Sequence, residues 1–147
     1  MVLVGSIPFA STTIDFGGGP LGAQGAYVAV LDPAGNYLHG FDAGGMLVND
    51  FALDAVDNVM LIGAGAEGAI DWQVSLSRYS LTGTLLGSWS FGDAAVQEGY
   101  QVVVDTAGNH YFTAAFCGTL DVGSGPIVDA STGSACLSSF VGFVPLY

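Results

Sequence analysis

The residues able to do chemistry in this chain are few and of one sign: thirteen carboxylates, two histidines, two cysteines and a single base, Arg78. Nucleophilic catalysis needs a base beside a Ser or Cys, and the histidines, His39 and His110, each follow a hairpin turn and read as strand-face residues. Glycoside hydrolysis needs two carboxylates of different protonation state. Asp54, Asp57 and Asp105 instead stand in turn sequences, where Asp accepts hydrogen bonds from its own backbone. No catalytic residue is assigned, and the chain reads as a non-enzyme.

Calcium is the alternative use for these carboxylates, because a hard cation takes carboxylate and carbonyl oxygens from acidic, Gly-rich loops. Asp15, Asp71 and Asp121 recur at equivalent positions, and Asp42, Asp50, Asp93 and Glu98 cluster in the connections between the second and third strands of a unit. Neither an EF-hand nor a nonapeptide calcium spacing occurs, so the expectation is no cofactor, with solvated loop charges and turn caps in those places. Trp72 and Trp89, with Tyr79 and Tyr100, would stack on sugars if exposed, whereas a sheet core claims such aromatics first. Gly17-Gly18-Gly19 has no following helix and no Lys, and is a turn element rather than a phosphate loop.

The formal charge of −12 excludes nucleic acid and anionic membranes as partners, since phosphate contacts require Lys and Arg. No apolar run approaches the roughly 18 residues that cross a bilayer. Met1 opens directly into Val2-Leu3-Val4, which reads as a chain whose leader has been removed or as a piece of something longer. Scarce Lys with abundant Gly, Ser, Thr and Ala points to a secreted or surface product. Cys117 and Cys136 bracket a Gly-rich loop; a disulfide there would stabilise by about 3 kcal/mol. A pair of buried thiols in a reducing compartment is the other reading.

These residues are positioned by hairpins. Ala26 to Leu38 places two alternating apolar runs around Asp32-Pro33-Ala34-Gly35-Asn36, where Pro33 pre-sets φ and Gly35 accepts a left-handed backbone. Val102 to Phe112 repeats the signal around Asp105-Thr106-Ala107-Gly108-Asn109. The chain contains three similar units of about 50 residues. Val59-Met60-Leu61-Ile62-Gly63 echoes Met1-Val2-Leu3-Val4-Gly5, with His110 to Ala114 in the same place. Four strands per unit are predicted, at 26–31, 37–42, 49–54 and 58–64, then at 72–79, 84–91, 100–105 and 110–116. No helix is predicted.

Residues 2–7 read as a lone fourth strand and 135–147 as the first two strands of a third unit. The single domain 1–147 thus divides into units 26–71, 72–134, and 135–147 joined with 1–25. An open apolar edge at each terminus invites aggregation, so the ends are expected to complete one sheet, within a chain or between copies. Val2, Leu3, Val4, Leu137, Phe140, Val141 and Phe143 are the closure residues.

Ala26 to Leu38, followed by Phe51 to Gly63, resembles the bacterial β-propeller repeat of the seven-bladed type. In that repeat a hydrophobic-Asp-Pro-x-Gly-Asn hairpin precedes a hydrophobic-Asp-x-x-Gly-Asn hairpin, and Asp15 to Leu21 matches an inserted segment of repeat-rich surface proteins. Asp57 stands where the repeat has Gly, and Ser80 to Thr84 lacks the Asp and Pro. The resemblance implies an all-β fold of three four-stranded antiparallel blade-like repeats, one completed by both termini. A β-trefoil or β-prism is the alternative at this unit length. It also implies an extracellular or cell-surface, non-catalytic scaffold. With the open ends, the expectation is self-association by strand complementation into a ring or filament; the alternative is a carbohydrate-binding module for glycans.

Overall fold

The computed structural model describes residues 1–7, 12–22, 24–65, 72–129 and 138–144. All regular structure among them is strand, in chain order β1 (Val2–Ile7), β2 (Ile14–Asp15), β3 (Pro20–Leu21), β4 (Gly25–Leu31), β5 (Tyr37–Asp42), β6 (Leu47–Leu53) and β7 (Val59–Ala64). Then follow β8 (Val74–Tyr79), β9 (Leu85–Phe91), β10 (Gln97–Val104), β11 (His110–Phe116), β12 (Thr119–Leu120), β13 (Ile127–Val128) and β14 (Ser138–Val144). They form a first sheet in order β1-β4-β5, a middle sheet β6-β7-β8-β9, and a third sheet β10-β11-β14. Two small hairpins, β2-β3 and β12-β13, lie in the insertions. Every pairing is antiparallel, and none of these sheets closes on itself.

β7 explains the arrangement. Its sequence is continuously apolar rather than alternating, and it is buried throughout, as a strand covered on both faces must be. Val59 and Leu61 join Ala26, Val28, Ala43 and Met46 in one core against the first sheet. Met60 and Ile62 join Val74, Leu76, Val102, Phe112, Ala114, Phe116 and Leu120 in another against the third. Phe91 stacks on Phe112 at 5.8 Å between ring centroids within the second core. The insertions lie against the sheets: Phe16 meets Tyr27 at 5.8 Å on the far side of the first sheet, and Leu120 is buried in the second core.

The structure corrects the predicted grouping of strands. The four strands between 26 and 64 do not share a sheet; the chain passes from one sheet to the next in the connections 43–46 and 92–96. The middle and third sheets therefore each start with the third predicted strand of a unit, β6 and β10. Two strand starts are also earlier than predicted, at Leu47 and Gln97, because register shifts between Val48 and Asp50 and between Gly99 and Gln101 break the alternation there.

The termini do not complete one sheet within the chain. Val2, Leu3 and Val4 pair with Val30, Ala29 and Val28 of β4. Phe140, Val141 and Phe143 of β14 pair with Ala114, Thr113 and Tyr111 of β11, in a different sheet. Each end pairs with the hairpin beyond the intervening insertion, β1 with β4 and β14 with β11. Leu137 lies outside the described residues, and the region predicted to hold two strands, 135–147, has one among them.

Candidate functional site

The most repeated side-chain arrangement is a five-residue turn in which Asp caps its own loop. Asp32 Oδ1 accepts from the backbone N–H of Ala34 at 2.8 Å and of Asn36 at 2.9 Å, while Asn36 Nδ2 donates to Oδ2 at 2.9 Å. Asp54 with Val56 and Asn58, and Asp105 with Ala107 and Asn109, repeat it bond for bond. Ser80 substitutes a hydroxyl, which accepts from Thr84 N at 3.1 Å. Gly35, Gly83 and Gly108 hold φ of 88°, 88° and 86° at the fourth position; Asp57 takes φ of 63° there, the one non-Gly residue among those described with positive φ. In both Asp32 and Asp105, the side-chain hydrogen bond from the turn Asn leads the causes that lower the carboxyl pKa.

Asp54 differs from its counterparts because Arg78, the chain's one base, also donates to its Oδ2. Burial pushes the Asp54 carboxyl up, but donation from Asn58, Arg78 and Val56 outweighs it and holds the pKa at about 2. The pair is structural: it ties the turn after β6 to β8 within the middle sheet.

Two of the metal candidates, Asp15 and Asp121, also cap their own loops. Asp15 Oδ1 accepts from Gly17 N at 2.7 Å and Gly19 N at 3.1 Å, and Asp121 Oδ1 from Gly123 N at 2.8 Å and Gly125 N at 3.2 Å. They sit in separate hairpins, and Asp71 lies outside the described residues. Among the described residues no three His, Cys, Asp or Glu side chains are grouped to hold a metal ion. Asp50 and Glu98, expected in connections, lie in β6 and β10 and link sheets. Asp50 Oδ2 accepts from Val102 N at 3.0 Å, and Asn49 Nδ2 donates to Glu98 Oε1 and to Gly99 O, both at 2.8 Å. Val48 N donates to Ser6 Oγ at 2.6 Å toward the first sheet. Asp93 Oδ1 accepts from Ala95 N and Gln97 Nε2, and its Oδ2 from Thr119 N, which fastens the connection after β9 to the β12 insertion.

No protein-family profile matches this sequence, and no curated protein matches it.

His110 is fully buried with its ring 6.1 Å from that of Trp89, and His39 pairs with Val30 in β5. Trp89 packs against the second core, as a sheet aromatic should. Trp72 is half-buried beside β10, its carbonyl accepting from Gln97 N at 2.7 Å. Cys117 N donates to Val96 O at 2.9 Å; Cys136 lies outside the described residues.

The surface also carries hollows. A groove of about 310 Å³ runs between the connection 43–46 and the serines Ser75, Ser77, Ser88 and Ser90, with Tyr79 at one side. A second hollow of about 220 Å³ lies on the third sheet, lined by Asp50, Gln101, Val103, Tyr111 and Thr113. Sequence reasoning missed the links between sheets at Asn49, Asp50 and Gln97. The signal for the first two was present, since a polar Asn-Asp pair interrupts the apolar run that opens β6.

Proposed function

We propose that this protein is an extracellular, non-catalytic structural module, built from propeller-blade-like repeats, that self-associates by strand complementation into a ring or filament. The observation that carries this reading is the inequality of the sheets. The middle sheet has four strands, whereas the first and third have three each and end on β1 and β14. Among the described residues no strand lies beyond either, and an open edge is a template for another chain. A head-to-tail contact of this kind closes into a ring or propagates as a fibre. A Cys117–Cys136 disulfide belongs to the same extracellular reading, and no cofactor is part of it.

Light scattering after size exclusion, with negative-stain microscopy, tests the assembly. Particles larger than the monomer are expected, and a soluble peptide of residues 138–144 in excess should reduce them by occupying open edges. A monomer at every concentration would overturn the proposal.

The serine-lined groove favours a second reading, binding of an uncharged glycan. Its lining is hydroxyl-rich, and Ser90 Oγ already donates to Gln73 Oε1 at 2.6 Å within it. A glycan array with wild type and Ser77→Trp separates the readings: specific signals lost in the variant support the groove.

A further inference from the structure

The outer strands of the three large sheets are built in two ways. Four of them carry one residue more than the strand beside them, and the pairing shifts there: at Leu38 in β5, Asn49 in β6, Leu86 in β9 and Tyr100 in β10. Such a bulge bends an edge away from further pairing, which is one way sheets guard their edges. β1 and β14 are the exceptions. Their ladders run unshifted, from Val2 opposite Val30 to Ile7 opposite Gly25 and from Ser138 opposite Phe116 to Val144 opposite His110, and neither strand contains a charged residue.

The alternation of an antiparallel ladder gives the direction of each backbone group. Leu31 N donates to Met1 O at 2.8 Å and Met1 N donates back to Leu31 O at 2.7 Å, so Leu3, Gly5 and Ile7 also turn their N–H and C=O toward β4. The backbone groups of Val2, Val4 and Ser6 therefore point out of the sheet. In the third sheet Asp105 N donates to Asn109 O at 3.0 Å and Cys117 N to Val96 O at 2.9 Å, which turns the intervening His110, Phe112, Ala114 and Phe116 toward β14. Their partners are Val144, Gly142, Phe140 and Ser138, so the backbone groups of Phe143, Val141 and Ser139 point out of that sheet.

We propose that the open edge of β1 in one copy of this chain pairs antiparallel with the open edge of β14 in the next, with Val2 opposite Phe143, Val4 opposite Val141 and Ser6 opposite Ser139. This rests on the self-association reading and names its two edges, their register and their direction. The occupant is a second copy because the two ladders match each other in phase and length: each offers backbone groups at every second residue, and in this register Ile7 falls opposite Ser138, so the strands end together. Residue types separate this contact from a pairing of like edges. Here a β-branched residue meets an aromatic one, valine meets valine and hydroxyl meets hydroxyl, combinations that stabilise cross-strand pairs. Pairing β1 with β1 in the matching register would instead set Val2 against Ser6, and β14 with β14 would set Phe143 against Ser139. One head-to-tail contact, repeated, uses both unguarded edges.

Proline substitution with sedimentation velocity tests this, because Pro lacks the N–H and a sheet tolerates it where that N–H would face outward from an edge strand. Val4→Pro and Val141→Pro should each keep the circular dichroism of wild type and sediment as monomers at concentrations where wild type associates. Mixed, they should form a dimer and nothing larger, since each variant keeps the edge that the other has lost. A folded Val141→Pro or Val4→Pro protein that associates on its own would overturn the β1 to β14 pairing while leaving self-association standing. A monomeric wild type would overturn both. A second measurement does not need the proline variants to fold: Val4→Cys and Val141→Cys proteins are mixed, oxidised and digested. Opposed residues of an antiparallel ladder lie within disulfide reach. A disulfide linking position 4 of one copy to position 141 of another supports the pairing, while linkage of like positions alone, or none, overturns it.

Discussion

Met60 and Tyr111 occupy one register position in two sheets and meet opposite environments. Both follow a capped Asp-to-Asn turn by the same step and pair with the preceding strand in the same way. Met60 is sealed at 1% exposure because the third sheet lies over it, whereas Tyr111 keeps 39%. Burial here depends on which sheet follows, and local sequence does not encode that.

The largest expected effect comes from setting the same charge at both positions. Met60→Lys places an ammonium between two packed sheets without a partner and should cost about 4 kcal/mol or more, whereas Tyr111→Lys should stay within about 1 kcal/mol, both by urea unfolding of the monomer. Equal losses would mean that the third sheet's face is covered in solution.

The capped turns sharpen the contrast. Asp54→Ala removes the carboxylate partner of half-buried Arg78 as well as the turn bonds, and should cost about 3 kcal/mol. Asp105→Ala loses the turn bonds alone and should lower the thermal midpoint by visibly less. Acid distinguishes the two further. The Asp54 pKa is depressed from 3.8 to about 2 in the fold. Its contribution is therefore complete above about pH 4 and is lost as pH falls toward 2. Wild type should lose thermal stability across that interval, and Asp54→Asn should flatten the slope.

The smallest effect is expected at Asp57. Replacing it with Gly relieves the one left-handed non-Gly residue among those described, at φ of 63°, and restores the residue found at 35, 83 and 108. A gain of about 0.5 kcal/mol in chemical denaturation follows, because the relief slightly exceeds the extra chain entropy of Gly. Gly108→Asp should lose a similar amount.

The turns were legible because their chemistry is local. Asp at the first position and Asn at the fifth determine one hydrogen-bond pattern whatever surrounds them, with Gly or, at 57, Asp in the left-handed fourth position, and the pattern recurs at 32, 54 and 105. The roles of Asp15 and Asp121 were half-legible: an Asp followed by glycines reads equally as a cap or as a cation ligand, and it takes the 2.7 and 2.8 Å bonds to Gly17 and Gly123 N–H to show the cap. The bulged starts of β6 and β10 were hidden, since a shifted register destroys the period-two pattern by which a strand is recognised. The sharing of strands among sheets was hidden too, because each connection from 43 to 46 and 92 to 96 looks like any hairpin loop.

By itself, then, the sequence determined the strands and their tight turns, with no helix among its predicted elements. The tertiary structure alone decided that β1 pairs with β4 and β14 with β11, that Asp50 reaches Val102 across two sheets, and that Met60 is covered while Tyr111 is not. The reason is one of range. Turn and strand preferences act over a few bonded neighbours, whereas sheet membership and burial depend on surfaces brought together from positions some fifty residues apart, as Asp50 and Val102 are.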